Sequence, residues 1–214
     1  MKKIDLLTIG VLSLLFAYTW YLFPSLPESV PIHFDSQGQA DRFGGRGSIF
    51  ILPGIMIFVI AVTLVGLGFS PEGSRASQSR GSISHIILAI TIMIGGIHLD
   101  QLQGIQAGTN SIGVFSVMGF GVFLLISGNV FGKVEKNYMV GIRLPWTLES
   151  KENWLATHRF AGKCMVVGGM ILVVSAFWLP HFFIGVAVLL SALLIPCFYS
   201  FWYYNKFERN KVSE

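Results

Sequence analysis

The chain has 214 residues, 53 % of them hydrophobic and only 12 % charged, where soluble domains carry roughly 25 % charged residues. That balance excludes an ordinary soluble globule and places the chain in a lipid bilayer. The formal net charge of +4 would elsewhere invite a nucleic-acid partner, but the positions of the basic residues give it another meaning, and no direct nucleic-acid contact is expected.

Uncharged stretches long enough to cross a hydrocarbon core of about 30 Å run over Leu6 to Phe23, Ser48 to Phe69, Ile83 to Leu99, Ser111 to Phe131, Cys164 to Leu179 and Phe182 to Tyr204. The first follows "MKK" as a signal peptide would. It is long for an apolar signal core, lacks an A-x-A cleavage site and ends in the aromatic "YTWYLFP", so it reads as a membrane anchor. With the N-terminus inside, the inner face holds Lys2, Lys3, Arg75, Arg80, Lys133, Lys136, Arg143, Lys151, Arg159, Lys163, Lys206, Arg209 and Lys211, leaving only Arg42 and Arg46 outside. The expected fold is therefore an all-α integral membrane protein of six transmembrane helices, both termini cytoplasmic, with a short extracellular cap loop between the first two.

That cap loop, residues 24–47, contains "VPIHFDSQGQADRFGG". Pro31 favours an extended Val30, and the alternation of Val30, Ile32 and Phe34 suggests a short strand on the membrane surface. "DSQG" reads as a turn with Asp first and Gly last. In such a cap His33 bonds a loop carbonyl and Asp41 pairs with Arg42 or Arg46. His98 and Asp100 end the third span on the same side, and His181 follows the fifth. Imidazoles and carboxylates together suit zinc, which makes His33, Asp41, His98 and Asp100 candidate ligands. No His pair has the i, i+4 spacing of a helical metal site, so neither metal nor cofactor is assigned.

The second and third spans are joined by "SPEGSRASQSRGS", a Ser/Gly/Arg linker that divides the chain into a two-span unit, 1–70, and a four-span unit, 83–204. Short connections between later spans force antiparallel neighbours and a compact bundle. Gly is frequent within the spans, where small residues let backbones approach. Gly128 and Gly132 form a GxxxG, whose plain reading is packing within the bundle. Pro53 lies early in its span, where a missing N–H matters little, and Pro196 lies inside the sixth. Cys164 and Cys197 read as small buried apolar residues, not a disulfide.

The cytoplasmic loop, residues 132–163, is the richest in unusual residues. Thr147 after "LPW" is a plausible N-cap, with Glu149 and Glu152 in the first turns and Arg159 and Lys163 in the last. A helix from about Leu148 would run on into the fifth span, with Trp154 and His158 on one face. Arg143, set between Gly, Ile, Leu and Pro, looks placed to dock an acidic group through its planar fork.

The string "NYMVGIRLPWTLESKENWLATHRFAGK" resembles the hallmark of the SdpI family of bacterial immunity proteins, N-Y-x-x-G-I-R-x-P-W-T-L followed by W-x-x-T-H-R-x-x-G. The match falls on Asn137, Tyr138, Gly141, Ile142, Arg143, Pro145, Trp146, Thr147, Leu148, Trp154, Thr157, His158, Arg159 and Gly162. The cap loop is similar to a small domain of unknown function, DUF1648, often found at the N-terminus of the same family, through Pro31, His33, Phe34, Gly38 and Asp41.

This resemblance implies a protein of the bacterial cytoplasmic membrane that protects its cell from a secreted membrane-active toxin peptide. In the founding type it also implies a sensor that holds a small cytoplasmic repressor. Asn137, Tyr138, Arg143, Pro145, Trp146, Thr147, Trp154, Thr157, His158 and Arg159 would then form the inner partner surface, with the cap loop meeting the toxin. An outer-face metal protein or enzyme acting on lipid or peptide is the alternative. The chain carries no Ser/His/Asp set, P-loop or zinc-protease signature, which favours a non-enzymatic role. A proton-coupled transporter would place ionisable residues deep in its spans, where only His85 and His98, near span ends, are found.

Overall fold

A computed structural model describes residues 3–35, 37–69, 80–109, 113–137, 140–178 and 181–209. The expected Ser/Gly/Arg boundary over 70–79 and Tyr138 lie outside the described residues, as does the side chain of His181. The elements are α1 (Lys3–Leu22), β1 (Ser29–Phe34), β2 (Ala40–Gly45), α2 (Ile51–Gly68), α3 (Arg80–Ala107), α4 (Val114–Phe131), α5 (Pro145–Glu149), α6 (Lys151–Ser175) and α7 (His181–Phe207). Six helical segments, all but the short α5, are long and apolar enough to cross a membrane.

The helices pack in a row. α1 and α2 lie against α3, α3 against α4, α4 against α6, and α6 against α7. Half of the most apolar stretch of α3 is buried, but only 17 % of that in α7, so α7 is the helix most open to lipid. The core between α4, α6 and α7 is built on Val117, Leu124, Leu172, Ala176 and Ala192. A second cluster, Leu22, Leu26, Ile49 and Leu102, lies where α1 and the end of α3 meet the cap.

Glycine brings the central helices into contact. A Cβ on Gly96 would stand 2.3 Å from the Phe115 carbonyl oxygen of α4, and one on Gly128 2.7 Å from that of Gly162 on α6. The GxxxG of α4 is thus used inside the chain, with Gly132 against the backbone of Arg159. Lipid offers no hydrophobic drive between helices, so such backbone approach supplies dispersion contact.

Within the all-α architecture, the cap folds as an antiparallel hairpin. Val30 pairs with Gly44, Pro31 with Phe43, His33 with Arg42 and Phe34 with Ala40. The expected alternation of Val30, Ile32 and Phe34 fails. Val30 and Pro31 are buried while Ile32 is exposed. The register shifts between Pro31 and His33, where Pro31 has no N–H for the ladder, and a bulge re-aims the next side chain. The Asp35 to Gly38 turn forms as expected. Gly38 N–H donates to the Asp35 carbonyl, the Asp35 carboxylate accepts from the N–H groups of Gln37 and Gln39, and Gly38 adopts φ 77°.

The fifth span starts differently from expectation. Thr147 is not an N-cap. Pro145 opens α5, where its fixed φ suits the first helical position, and the Thr147 hydroxyl turns back to accept the Leu144 N–H at 2.9 Å. The backbone breaks at Ser150, whose hydroxyl caps α6 by accepting the Asn153 N–H at 3.1 Å. Glu149 therefore ends α5, and Glu152 lies in the first turn of α6. Because α6 continues unbroken to Ser175, Arg159 and Lys163 sit in mid-helix instead of its last turn.

Candidate functional site

Two polar constellations occupy opposite ends of the bundle. At the hairpin end, His33 Nδ1 and Asp41 Oδ1 pair across the strands at 2.6 Å, with both side chains nearly half exposed. Asp41 takes His33 as its partner instead of Arg42 or Arg46, and this bond holds its carboxyl below its ordinary range. Ile32 and Phe43 are exposed beside the pair. Trp20, Phe23 and Phe50 form a ring cluster beneath, with centroids 5.3 to 6.2 Å apart.

His98 and Asp100 do different work. His98 is fully buried, its Nε2 2.7 Å from Thr19 Oγ1 on α1 and its Nδ1 3.2 Å from Gln101 Oε1. Gln101 donates in turn to the Pro31 carbonyl at 2.6 Å, which ties the hairpin to the bundle. Asp100 accepts the N–H groups of Phe115 and Ser116 at 3.2 and 2.6 Å, capping α4 from a neighbouring helix. The four candidate ligands thus do not converge, and the described residues contain no group of three His, Cys, Asp or Glu placed for a metal ion. Cys164 and Cys197 are free thiols, each partly buried.

At the other end the inner motif folds into a clasp. Asn137 closes a turn by accepting the Val140 N–H at 2.8 Å and donating to the carbonyls of Glu135 and Val140. Gly141 follows at φ 139°, in the region that favours glycine. A Cβ there would lie 2.5 Å from His158 Nε2 and 2.6 Å from the Trp154 ring. The Trp154 and His158 rings stack at 4.0 Å, as their spacing implies, and both are fully buried. Trp154 donates its indole N–H to the Val134 carbonyl at 2.8 Å.

The Ile142 N–H can only donate, so His158 Nε2 accepts it, at 3.0 Å, and Nδ1 donates to the Trp154 carbonyl at 2.7 Å. That pair of bonds fixes one neutral tautomer. Thr147 donates to the Ile142 carbonyl at 2.7 Å. With its neighbour Ile142 held at both polar atoms, Arg143 is set on the exposed surface, as are Pro145 and Arg159.

Four further residues, Ser150, Asn153, Ser200 and Glu208, complete the clasp, and the motif alone does not reveal them. Asn153 donates to the Ser200 carbonyl at 3.2 Å and to Glu208 at 3.1 Å, and accepts from Thr157 at 2.9 Å. Ser150 donates to Glu208. Trp146, packed on Tyr204, donates to the Ser200 hydroxyl at 3.0 Å. The spacing of Ser150 before Asn153 is an N-cap signal that a closer reading finds. Ser200 and Glu208 carry no local signal, because their partners lie about 50 residues away in sequence.

Residues 133–200 match the SdpI/YfhL protein family, and residues 10–57 match a domain of unknown function, DUF1648. The chain is 28 % identical over 213 residues to a protein named "Immunity protein SdpI" of Bacillus subtilis (strain 168), covering 99 % of this chain and all of that one. It is also 37 % identical over 64 residues to an uncharacterized protein of Archaeoglobus fulgidus, covering 30 % of this chain and 35 % of the relative. No solved structure matches.

Helices and sites together define a multi-pass membrane protein with a hairpin cap at one end and a buried polar clasp at the other. With both family segments in order and the similarity running from end to end, the chain carries the SdpI/YfhL family segment over residues 133–200 and resembles an SdpI protein throughout its length.

Proposed function

We propose that the chain is a non-enzymatic immunity and sensor protein of the bacterial cytoplasmic membrane, conferring resistance to a secreted membrane-active toxin peptide. The observation that carries this reading is the end-to-end similarity to a protein named for immunity, which spans both the hairpin and the clasp. The geometry supports a division of labour. The hairpin offers exposed Ile32 and Phe43 beside the His33 and Asp41 pair, a surface suited to an amphipathic peptide. The clasp spends Asn137, Trp154, Thr157 and His158 on internal bonds and presents Arg143, Pro145 and Arg159 outward, a surface suited to a cytoplasmic repressor. The charge asymmetry of the sequence supports the hairpin lying outside and the clasp inside. In this reading the linker over 70–79 separates a cap-bearing unit, 1–70, from a four-helix unit, 83–204.

The test is survival of a toxin-sensitive bacterium expressing the chain at matched membrane levels, challenged with secreted antimicrobial peptides. Wild type is expected to protect, His33→Ala to lose protection, and Arg143→Ala to keep protection while losing membrane recruitment of a repressor. A folded, membrane-resident wild type that protects against no such peptide overturns the reading.

A further inference from the structure

Beside the clasp, α4 and α6 leave an open groove of about 800 Å³ lined by Asn129, Lys133, Arg159, Lys163, Val166 and Val167 among others. None of the three cationic side chains carries a hydrogen bond or ion pair among the described residues, and no acidic residue lines the groove. Lys133 follows the C-terminus of α4, where a cation suits the helix dipole. The dipole does not account for Arg159 and Lys163, which sit i, i+4 in mid-helix and repel each other.

Lys163 and Val167 also line a second groove, of about 490 Å³, between α6 and α7. Its walls are almost wholly apolar, including Phe160, Ile171, Val188 and Ile195, again without an acidic residue. From Phe160 to Ile171 the helix rises about 16 Å, close to the roughly 15 Å of hydrocarbon in one leaflet. A cationic groove at the end of the spans therefore opens onto an apolar channel one leaflet deep, with Lys163 at the junction.

We propose that these two grooves form one site for an anionic phospholipid. Its phosphate is held by Lys133, Arg159 and Lys163, with Asn129 as a neutral hydrogen-bonding neighbour, and one acyl chain lies between α6 and α7. A bridging phosphate relieves the repulsion between Arg159 and Lys163, and planar Arg with two flexible Lys suits its oxygens. A second copy of the chain would bring the same cations to the groove, and a cationic peptide would be repelled from it. The site does not depend on the proposed immunity.

The test is native mass spectrometry of the full chain released from nanodiscs of equimolar phosphatidylglycerol and phosphatidylcholine, with helicity checked by circular dichroism. Wild type is expected to retain phosphatidylglycerol preferentially. Lys133→Gln/Arg159→Gln/Lys163→Gln is expected to lose that preference by roughly tenfold or more, since each cation near a phosphate contributes separately. Lys151→Gln/Lys206→Gln/Arg209→Gln, which removes equal charge elsewhere on the same end, is expected to keep it. Ser191→Leu, which fills the apolar groove, is expected to reduce retention of the lipid without changing its headgroup preference. Inorganic phosphate is expected not to compete, which separates a lipid from a free anion. An equal loss in the two triple variants, no preference in wild type, or full competition by phosphate would each overturn the proposal.

Discussion

Gly141 shows how much one residue settles in this protein. Its φ of 139° and the nearness of His158 and Trp154 both demand hydrogen in place of a side chain. Gly141→Ala is expected to cost about 1–3 kcal/mol from backbone strain alone, with overpacking added, and to lower the unfolding temperature in detergent. Trp154→Phe keeps the stacked ring but leaves the buried Val134 carbonyl without its donor, an expected loss of about 1–3 kcal/mol. At the hairpin, the lowered Asp41 carboxyl means that its bond to His33 contributes fully above the ordinary carboxylate value of 3.8. That contribution is lost as pH falls through the lower folded value. Hairpin amide protection, after correction for intrinsic exchange, should therefore fall as pH drops below about 3.8. The sequence singles out many of the residues in the two polar constellations, but not the directions of their side chains. Asn137, Thr147, Trp154 and His158 look like a recognition surface when read along the chain, and all four turn inward.

The elements were legible where one physical demand dominates. Six spans follow from the absence of charge over about 20 residues, and their limits shift mainly where polar residues are buried in the bundle. The uncharged stretch of the third span ends at Leu99, yet α3 continues to Ala107, where His98, Asp100 and Gln101 find polar partners on α1, α4 and the hairpin. The uncharged part of the fifth span begins at Cys164, and the helix expected to lead into it from about Leu148 does so as α6, from Lys151, with Trp154 and His158 bonded to the loop before it. The hairpin was half legible: the turn announced itself, but the bulge at Pro31 depends on the opposing strand. Two tests belong at this scale. Gln101→Leu should free the Pro31 carbonyl and speed trypsin cleavage at Arg42 and Arg46 without unfolding the spans. Gly128→Leu should destabilise the crossing of α4 and α6 instead of changing oligomeric state, because its contact lies within the chain; size-exclusion chromatography with light scattering distinguishes the two.

Across the whole molecule, the row of helices places the hairpin and clasp at opposite ends of a shared core, with α3, α4 and α6 between them. Long-range order was the least legible part of the sequence. Nothing near Thr19 points to His98, and nothing near Asn153 points to Glu208, because such pairs are chosen by the three-dimensional path of the chain and leave no periodic trace. Glu208→Ala is expected to cost about 1–3 kcal/mol, through the stranded Ser150 and Asn153 groups, and to loosen the clasp more than the hairpin. Hydrogen exchange should register this in α5 and the first turns of α6. The position of Glu208 also imposes an order of events during synthesis. The clasp residues leave the ribosome long before the helix that fastens them, so the surface bearing Arg143 is completed only once α7 has been inserted. An interrupted chain would carry the motif without the bonds from Glu208 that fasten it, so unfinished copies would differ from finished ones in the shape of that end.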